Sequence, residues 1–490
     1  MSALPPPALT VPGPRAASII GPRGNLLQFF LDPIRFMDQA FQRFGPIVAL
    51  VEGGRVGFSQ RDGPGIVLVH GPGLTREVQS QTDIFYAVSE QLSQQTAGQR
   101  ESPRRQALQD ISVHVLSTNG ERHRRHRRLL APYFHKQHVE TYHADMLHLT
   151  RAVLDSWVAD ERRDIRAEMN RLTLRVVLKT LFGDADQVGD DIGQSMQQAL
   201  NLAIPSLLLP YDLPGLPYYR WGHAAQRLAR EVQALIASRR SQSLGARTAN
   251  DMLTSLLEAR DEDGSALSDV EVVGNLFAIF LAGHETSSSA LTWTLFLLSQ
   301  HPRYAADLLT ELDDLLHGAP PTVAQMNQVP LLECTIKESL RLLPPIPYST
   351  RYACQPTELA GFPIPAGTDV FVSIYHTHRM PELYARPNVF NPYRWLGIER
   401  DAFEFTPFNS GPRMCLGAGF AMQEMKLMLA MILQRYRLEF IPNTRVDRFV
   451  GFSMAVKSGL PMIVRQQDRQ FTRPVGRARG NVHQMLELVA

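Results

Sequence analysis

The residue best suited to metal chemistry is Cys415, in the run FNSGPRMCLGAGFA from Phe408 to Ala421. A helical pattern begins directly after it. The partial positive charge of a helix N-terminus and the nearby Arg413 both favour the thiolate, the form that binds a metal. Gly411 permits a tight turn before the cysteine, and Gly417 lets the backbone approach a flat cofactor. A lone cysteine is more often a small buried hydrophobe, and the glycines and arginine around this one set it apart. Zinc is a poor fit, because a structural site takes four ligands with paired spacing and the chain has no CxxC or HExxH. A second group is AGHETS, Ala282 to Ser287, which breaks the most apolar stretch, Leu276 to Leu298, with an acid beside an alcohol. Glu285 and Thr286 make a workable proton relay, since one can donate while the other resupplies it through water. A third is Glu338 and Arg341, spaced to share one helical face; by themselves such pairs are usually solvated and weak. The fourth is GERHRRHRRLLAPYF, Gly120 to Phe134, where His123 and Arg127 share a face at i and i+4 while Arg124 and Arg128 form a neighbouring stripe.

These groups need a scaffold. Ser268 and Glu271 form a capping-box pattern, and the apolar run after them continues to Gln300 before Pro302 stops it, which predicts one helix of about 30 residues across the AGHETS break. A helix over Leu331 to Leu343 ends against Pro344 and Pro345, and a last one runs from just after Cys415 to about Tyr436. Near the start, Pro33 to Phe44 has helical spacing, while PIVALVEGGRVGF and IVLVHGP read as strands. Tyr86 to Asn119 reads as a long loop with one short helix, and amphipathic helices then follow from 120 to 302, interrupted by a Pro-rich segment from Ile204 to Tyr219. The expected fold is mainly α with small β-sheets in one large domain over residues 26–465, after a flexible Pro-rich leader over 1–25 and before a C-terminal tail over 466–490.

Phe408, Gly411, Arg413, Cys415 and Gly417 match the pattern F-x-x-G-x-R-x-C-x-G, and the chain thereby resembles the cytochrome P450 family, of the soluble bacterial type. The resemblance implies that Cys415 is the axial ligand of haem b, iron protoporphyrin IX, with Phe408, Arg413 and Gly417 in the loop against the cofactor. In that family a cysteinate pushes electron density onto iron to favour O–O cleavage. Glu338 and Arg341 then resemble the family's E-x-x-R pair, with Arg394 in FNPYRW as the third member of a buried network behind the cysteine loop. AGHETS resembles the oxygen-binding sequence, in which Gly283 opens a groove and Glu285 with Thr286 relays protons. His123 and Arg127, and further along Arg351, fall where the family holds the haem propionates. The other arginines of the Arg124 and Arg128 stripe would face an acidic electron-donor protein. The implied activity is a monooxygenase that inserts one oxygen atom from O2 into an apolar substrate such as a lipid, terpenoid, steroid or polyketide. Electrons would come from a separate ferredoxin or flavodoxin with its reductase.

Composition is consistent with this and excludes several classes. Fifty basic and 48 acidic residues nearly cancel, so nucleic acid could be held only by the local run Arg122 to Arg128, and no nucleic-acid partner is expected. Three cysteines, Cys334, Cys354 and Cys415, make no disulfide framework and point to a reducing, cytoplasmic setting. The leader lacks the continuous apolar stretch of a membrane anchor, and the polar centre of Leu276 to Leu298 disfavours a membrane span there. Two other readings predict different behaviour. A haem-thiolate peroxygenase or isomerase would need no reductase and would have less use for Glu285 and Thr286, while a haem-binding sensor or a nucleic-acid-binding protein using the run Arg122 to Arg128 would show salt-dependent DNA affinity that survives loss of haem.

Overall fold

The computed structural model describes residues 9–17, 20–54, 56–59, 63–88, 102–183, 186–208, 211–241, 251–471 and 476–488. Helices dominate it, with small sheets between them, as the sequence led us to expect. The chain divides into two compact units. The first comprises Met1–Tyr86, His143–Thr173 and Glu285–Ala490, and the second comprises Ala87–Tyr142 and Leu174–His284. The boundaries at Thr173 and His284 fall inside helices, Ile165–Phe182 and Asp269–Gln300, and not in linkers.

All the described strands lie in the first unit. Its main sheet has the order β1-β2-β8-β5-β3, built from β1 (Ile47–Ala49), β2 (Ile66–Val69), β3 (Phe85–Tyr86), β5 (Tyr348–Ala353) and β8 (Asp369–Ser373). Every residue of β2 and β8 is buried, and these two strands pair in parallel, Val67 beside Val370. Runs such as IVLV have the branched side chains that a strand covered on both faces needs. A second sheet joins β4 (Arg162–Asp164), β12 (Pro461–Gln466) and β9 (Tyr436–Phe440), and two hairpins complete the set, β6 (Thr357–Leu359) with β7 (Phe362–Ile364) and β10 (Arg448–Val450) with β11 (Met454–Val456).

Residues 9–17 and 476–488 are drawn into this unit. Leu9 and Val11 are buried in one cluster with Ile47, Ala49, Val67 and Val370. The carbonyls of Pro12 and Pro14 accept from Ala49 N and Glu52 N. Prolines lack an N–H but keep an acceptor, so a Pro-rich segment can still line a strand edge; the part of the leader from residue 9 to 17 does so. In the tail, Val482, Met485 and Leu486 are buried, Asn481 Oδ1 accepts from Arg448 N at 2.7 Å, and Glu487 N donates to Asn388 O.

The helices that carry the chemistry have clear beginnings. The longest, Asp269–Gln300, has 32 residues, about 48 Å at 1.5 Å each. Its start is the expected box, with Glu271 N donating to Ser268 Oγ at 3.3 Å and Ser268 N to Glu271 Oε2 at 3.0 Å. The helix Pro330–Leu342 stops before the paired prolines. In the second unit the Pro-rich interruption is shorter than its composition suggests. Pro205 lies inside the helix Asp186–Leu208 close to its end, where one lost backbone bond is tolerated, and Pro217 starts the helix Pro217–Ser241. The loop from Tyr86 contains the expected short helix, Pro103–Ile111, capped by Ser102; residues 89–101 lie outside the described ones.

Candidate active site

The cysteine loop is closed by its own backbone. Asn409 takes a left-handed conformation, as does Gly411, and Cys415 N donates back to Phe408 O at 2.9 Å. A short 3-10 turn over Gly411–Arg413 then delivers Cys415, an exposed thiol, to the start of the 18-residue helix Ala418–Arg435. Gly417 is the N-cap of that helix, no side chain caps it, and its first turn holds no acidic residue. The helix dipole therefore favours negative charge next to Cys415. Gly411 has φ +68°, and a Cβ there would meet the carbonyl oxygen of Gln79 at 2.6 Å, so both conformation and space demand glycine.

Behind the loop lies a buried ionic network. Glu338 and Arg341, both fully buried, form a bidentate pair with two bonds of 2.9 Å. Arg394 Nε, Trp395 Nε1 and Asn391 N bring the bonds to the Glu338 carboxylate to five. Burial works against its charge, but the Arg341 guanidinium and these donors outweigh it and hold the carboxyl below the usual range. The three residues proposed from the sequence as one network are thus brought together. The structure also carries the connection onward. Arg341 Nη1 donates to His378 O at 2.9 Å, His378 Nε2 accepts from Thr406 N at 2.8 Å, and Thr406 O accepts from Asn409 N in the cysteine loop. Burial, reinforced by the charges of Arg341 and Arg379, pushes His378 down to about 3, so its ring stays neutral with Nε2 as a fixed acceptor.

Whether these residues suit an anionic, metal-bearing cofactor can be judged from Arg351. It is buried on β5, its Nη1 donates to the neighbouring Thr350 O, and its Nε is buried without a partner among the described residues. Burial, with help from the Arg413 charge, pulls its pKa down to about 9. A buried guanidinium beside a second cation calls for an anion, and a haem carboxylate would supply it. An exposed cysteine at a helix N-terminus and this arginine, within one unit, fit haem.

In the second unit His123 is buried and Arg127 half-buried on the helix Gly120–Leu130, four residues apart as expected. That helix is clamped by His126, whose Nε2 lies 3.2 Å from Glu271 Oε1 and whose Nδ1 faces Asn275 Nδ2 at 3.1 Å. Arg124 and Arg128 are less available than the sequence suggests. Arg124 pairs with Glu121, and Arg128 pairs with both Glu121 and Asp261, so local acids offset much of that stripe's charge.

The AGHETS segment lies entirely within the long helix. A Cβ on Gly283 would come only within 3.4 Å of Val177, ordinary contact distance, so nothing in its own unit demands a glycine there. Burial, opposed by the Arg166 charge and a Ser453 hydrogen bond, raises the pKa of Glu285. Ser453 Oγ also meets Ser289 Oγ at 3.0 Å. Next along the helix, Ser287 donates to Glu424, a fully buried residue of the cysteine helix. Burial pushes that carboxyl up to about 8.

The family model described as Cytochrome P450 matches residues 12–463. The chain belongs to the cytochrome P450 family. Among curated relatives, this P450 is 34% identical to cyclooctatin synthase and 33% identical to cyclooctat-9-en-7-ol 5-monooxygenase, both of Streptomyces melanosporofaciens. These alignments cover 68% and 69% of this chain, and 74% and 75% of the relatives. Pentalenene oxygenase of Streptomyces avermitilis is 33% identical over 69% of this chain and 76% of its own length. The fold matches the retinoic acid-bound cyanobacterial CYP120A1 with a TM-score of 0.78 at 24% identity, over 94% of this P450 and all of that chain. The protein is accordingly a haem-thiolate monooxygenase, an oxidoreductase that uses O2, an organic substrate and electrons from redox partners. Among the described residues no helix is long and apolar enough to cross a membrane.

Three residues of this P450 escaped the sequence reading. His378, Gln79 and Glu424 touch the cysteine loop or its helix through partners far away in the chain, and a lone His, Gln or Glu carries no local signal of that. Tyr348 and Ser349 have partners inside the first unit. The Tyr348 ring stacks on Phe371, and Ser349 Oγ accepts from Gln79.

Proposed function

We propose that Cys415 binds the iron of haem b and that the enzyme hydroxylates a terpenoid hydrocarbon or its mono-alcohol. The observation that carries the cofactor assignment is the exposed Cys415 at a helix N-terminus, with buried Arg351, whose Nε has no partner among the described residues, in the same unit. Arg351, Arg413, His123 and Arg127 bind the propionates in this reading. Phe408 and Gly417 line the loop, and Glu338, Arg341 and Arg394 keep it in shape. The haem, once bound, supplies O2 activation. The chain's own part is proton handling. Thr286 Oγ1 gives up a proton, and Glu285, its carboxyl biased towards the protonated form, restores it. Gly283 leaves room beside that pair. The substrate class rests on relatives named for cyclooctat-9-en-7-ol and pentalenene. We assign a cytoplasmic location and a separate ferredoxin or flavodoxin with its reductase as electron source.

Two experiments test this reading. Titration of the holoenzyme with terpene hydrocarbons and mono-alcohols should shift the haem spin state at lower concentration than steroids, fatty acids or polyketides do, and the reverse order refutes the substrate class. Thr286→Ala should keep consuming NAD(P)H with redox proteins while releasing peroxide in place of product. Full coupling in that variant, or efficient turnover of the native enzyme on peroxide alone, refutes the relay.

A further inference from the structure

Gln79 lies in the last turn of the helix Pro72–Ser80, and its side chain is fully buried. Both ends of its carboxamide are engaged. Nε2 donates to Ser349 Oγ at 3.2 Å, and Oε1 accepts from the buried Ser410 hydroxyl. Ser410 immediately precedes the 3-10 turn that leads into Cys415, and its hydroxyl goes to Gln79 and not to that turn. Ser349 stands on β5, and the next side chain on its face of the strand is that of Arg351. The backbone of Gln79 adds a third contact, because its carbonyl oxygen abuts Gly411 where any side chain would collide. One residue thus touches the cysteine loop twice and the strand of the buried guanidinium once.

A carboxamide suits this place because it is neutral and offers a donor and an acceptor on one rigid plane. An apolar side chain of similar size would leave the buried Ser410 hydroxyl without this partner, which is costly in a dry interior, and would also take the partner from the half-buried Ser349 hydroxyl. Gly411, having no Cβ, lets the loop backbone lie against the Gln79 carbonyl, so the carbonyl and the carboxamide together set the distance of the loop. We infer that Gln79 is a positioning residue that fixes the Cys415 thiolate relative to the Arg351 guanidinium. This rests on the reading of Cys415 as the iron ligand.

The test uses holoenzyme carrying Gln79→Leu, Gln79→Glu or Ser349→Ala. The readouts are the fraction of the reduced carbon monoxide complex with the red-shifted thiolate Soret band, far-UV circular dichroism across a urea series, and the reduction potential. Gln79→Leu should lose the thiolate band at urea concentrations where helix content is still native. At a fixed mild urea concentration its thiolate-free fraction should rise about tenfold, as loss of a buried hydrogen-bond partner implies. Its potential should shift as well. A protonated glutamic acid retains one donor and one acceptor, so Gln79→Glu should behave like the native enzyme at low pH and lose the band as pH rises. Ser349→Ala should shift the band fraction in the same direction as Gln79→Leu, and it serves as the readout if the leucine variant does not fold.

A native thiolate fraction and potential in both Gln79→Leu and Ser349→Ala overturns the role of Gln79, as does band loss in step with helix loss or a glutamate variant that never recovers. Absence of the thiolate band from the native enzyme itself would overturn the Cys415 assignment and the inference with it.

Discussion

Glu424 gives the sharpest physical prediction. It is fully buried on the cysteine helix, its Oε2 has no partner among the described residues, and only the Ser287 hydroxyl is donated to it. Burial raises its pKa from 4.5 to about 8. The folded protein therefore retains a proton that the unfolded chain releases above pH 4.5. A group raised in the folded state makes stability fall as pH rises between those values, by about 1.4 kcal/mol per pH unit. At pH 7 the accumulated loss is on the order of 3 kcal/mol. Glu424→Gln keeps the shape and the neutral form but has no proton to lose. It should match the native enzyme near pH 4.5 and exceed it by up to about 3 kcal/mol at pH 7, with the gap widening as pH rises. Urea unfolding followed by circular dichroism at pH 5, 6, 7 and 8 measures this directly. Parallel pH profiles for the two proteins, or a variant less stable at pH 7, would refute the reasoning.

Three further outcomes follow from the same geometry. Glu338→Gln leaves the Arg341 and Arg394 cations uncompensated and should cost about 3 to 5 kcal/mol in urea unfolding. The carboxyl is held low in the folded state, so its contribution is present above pH 4.5 and lost as pH falls through the folded value; the variant should lack that acid-linked loss. Arg351→Met removes a cation buried on β5 and should speed haem transfer to a competing apoprotein about tenfold or more, given that charged hydrogen bonds contribute roughly 1.5 to 3 kcal/mol; an unchanged transfer rate contradicts the propionate role. Deleting residues 476–490 removes the buried side chains of Val482, Met485 and Leu486 and should lower stability by about 3 kcal/mol or more, visible as faster proteolysis near Asn388 and Arg448, which lose their partners in the tail.

The parts of the site legible in the sequence are those whose chemistry is local. The cysteine loop, the acid and alcohol in the long helix, and the Glu338 to Arg341 spacing each lie within one short run, and the capping box marked the long helix to within a residue. Contacts made only by tertiary folding were not legible. Gln79 and Ser410 are 331 positions apart, and His378 reaches Thr406 only because the backbone turns back on itself. Electrostatic context was also invisible beforehand. The Arg124 and Arg128 stripe read as free positive charge until Asp261, 133 residues beyond Arg128, was found against it. Proline content misled in two places, since prolines served as acceptors beside β1 and one sat near the end of a helix without breaking it.

The proposed activity depends most directly on the bond from the Cys415 sulfur to iron. Reduced holoenzyme exposed to carbon monoxide should show the strongly red-shifted Soret absorption of a thiolate-ligated haem, and Cys415→Ala should lose that band while the protein remains folded. A native enzyme without the band, or an alanine variant that keeps it, contradicts that assignment.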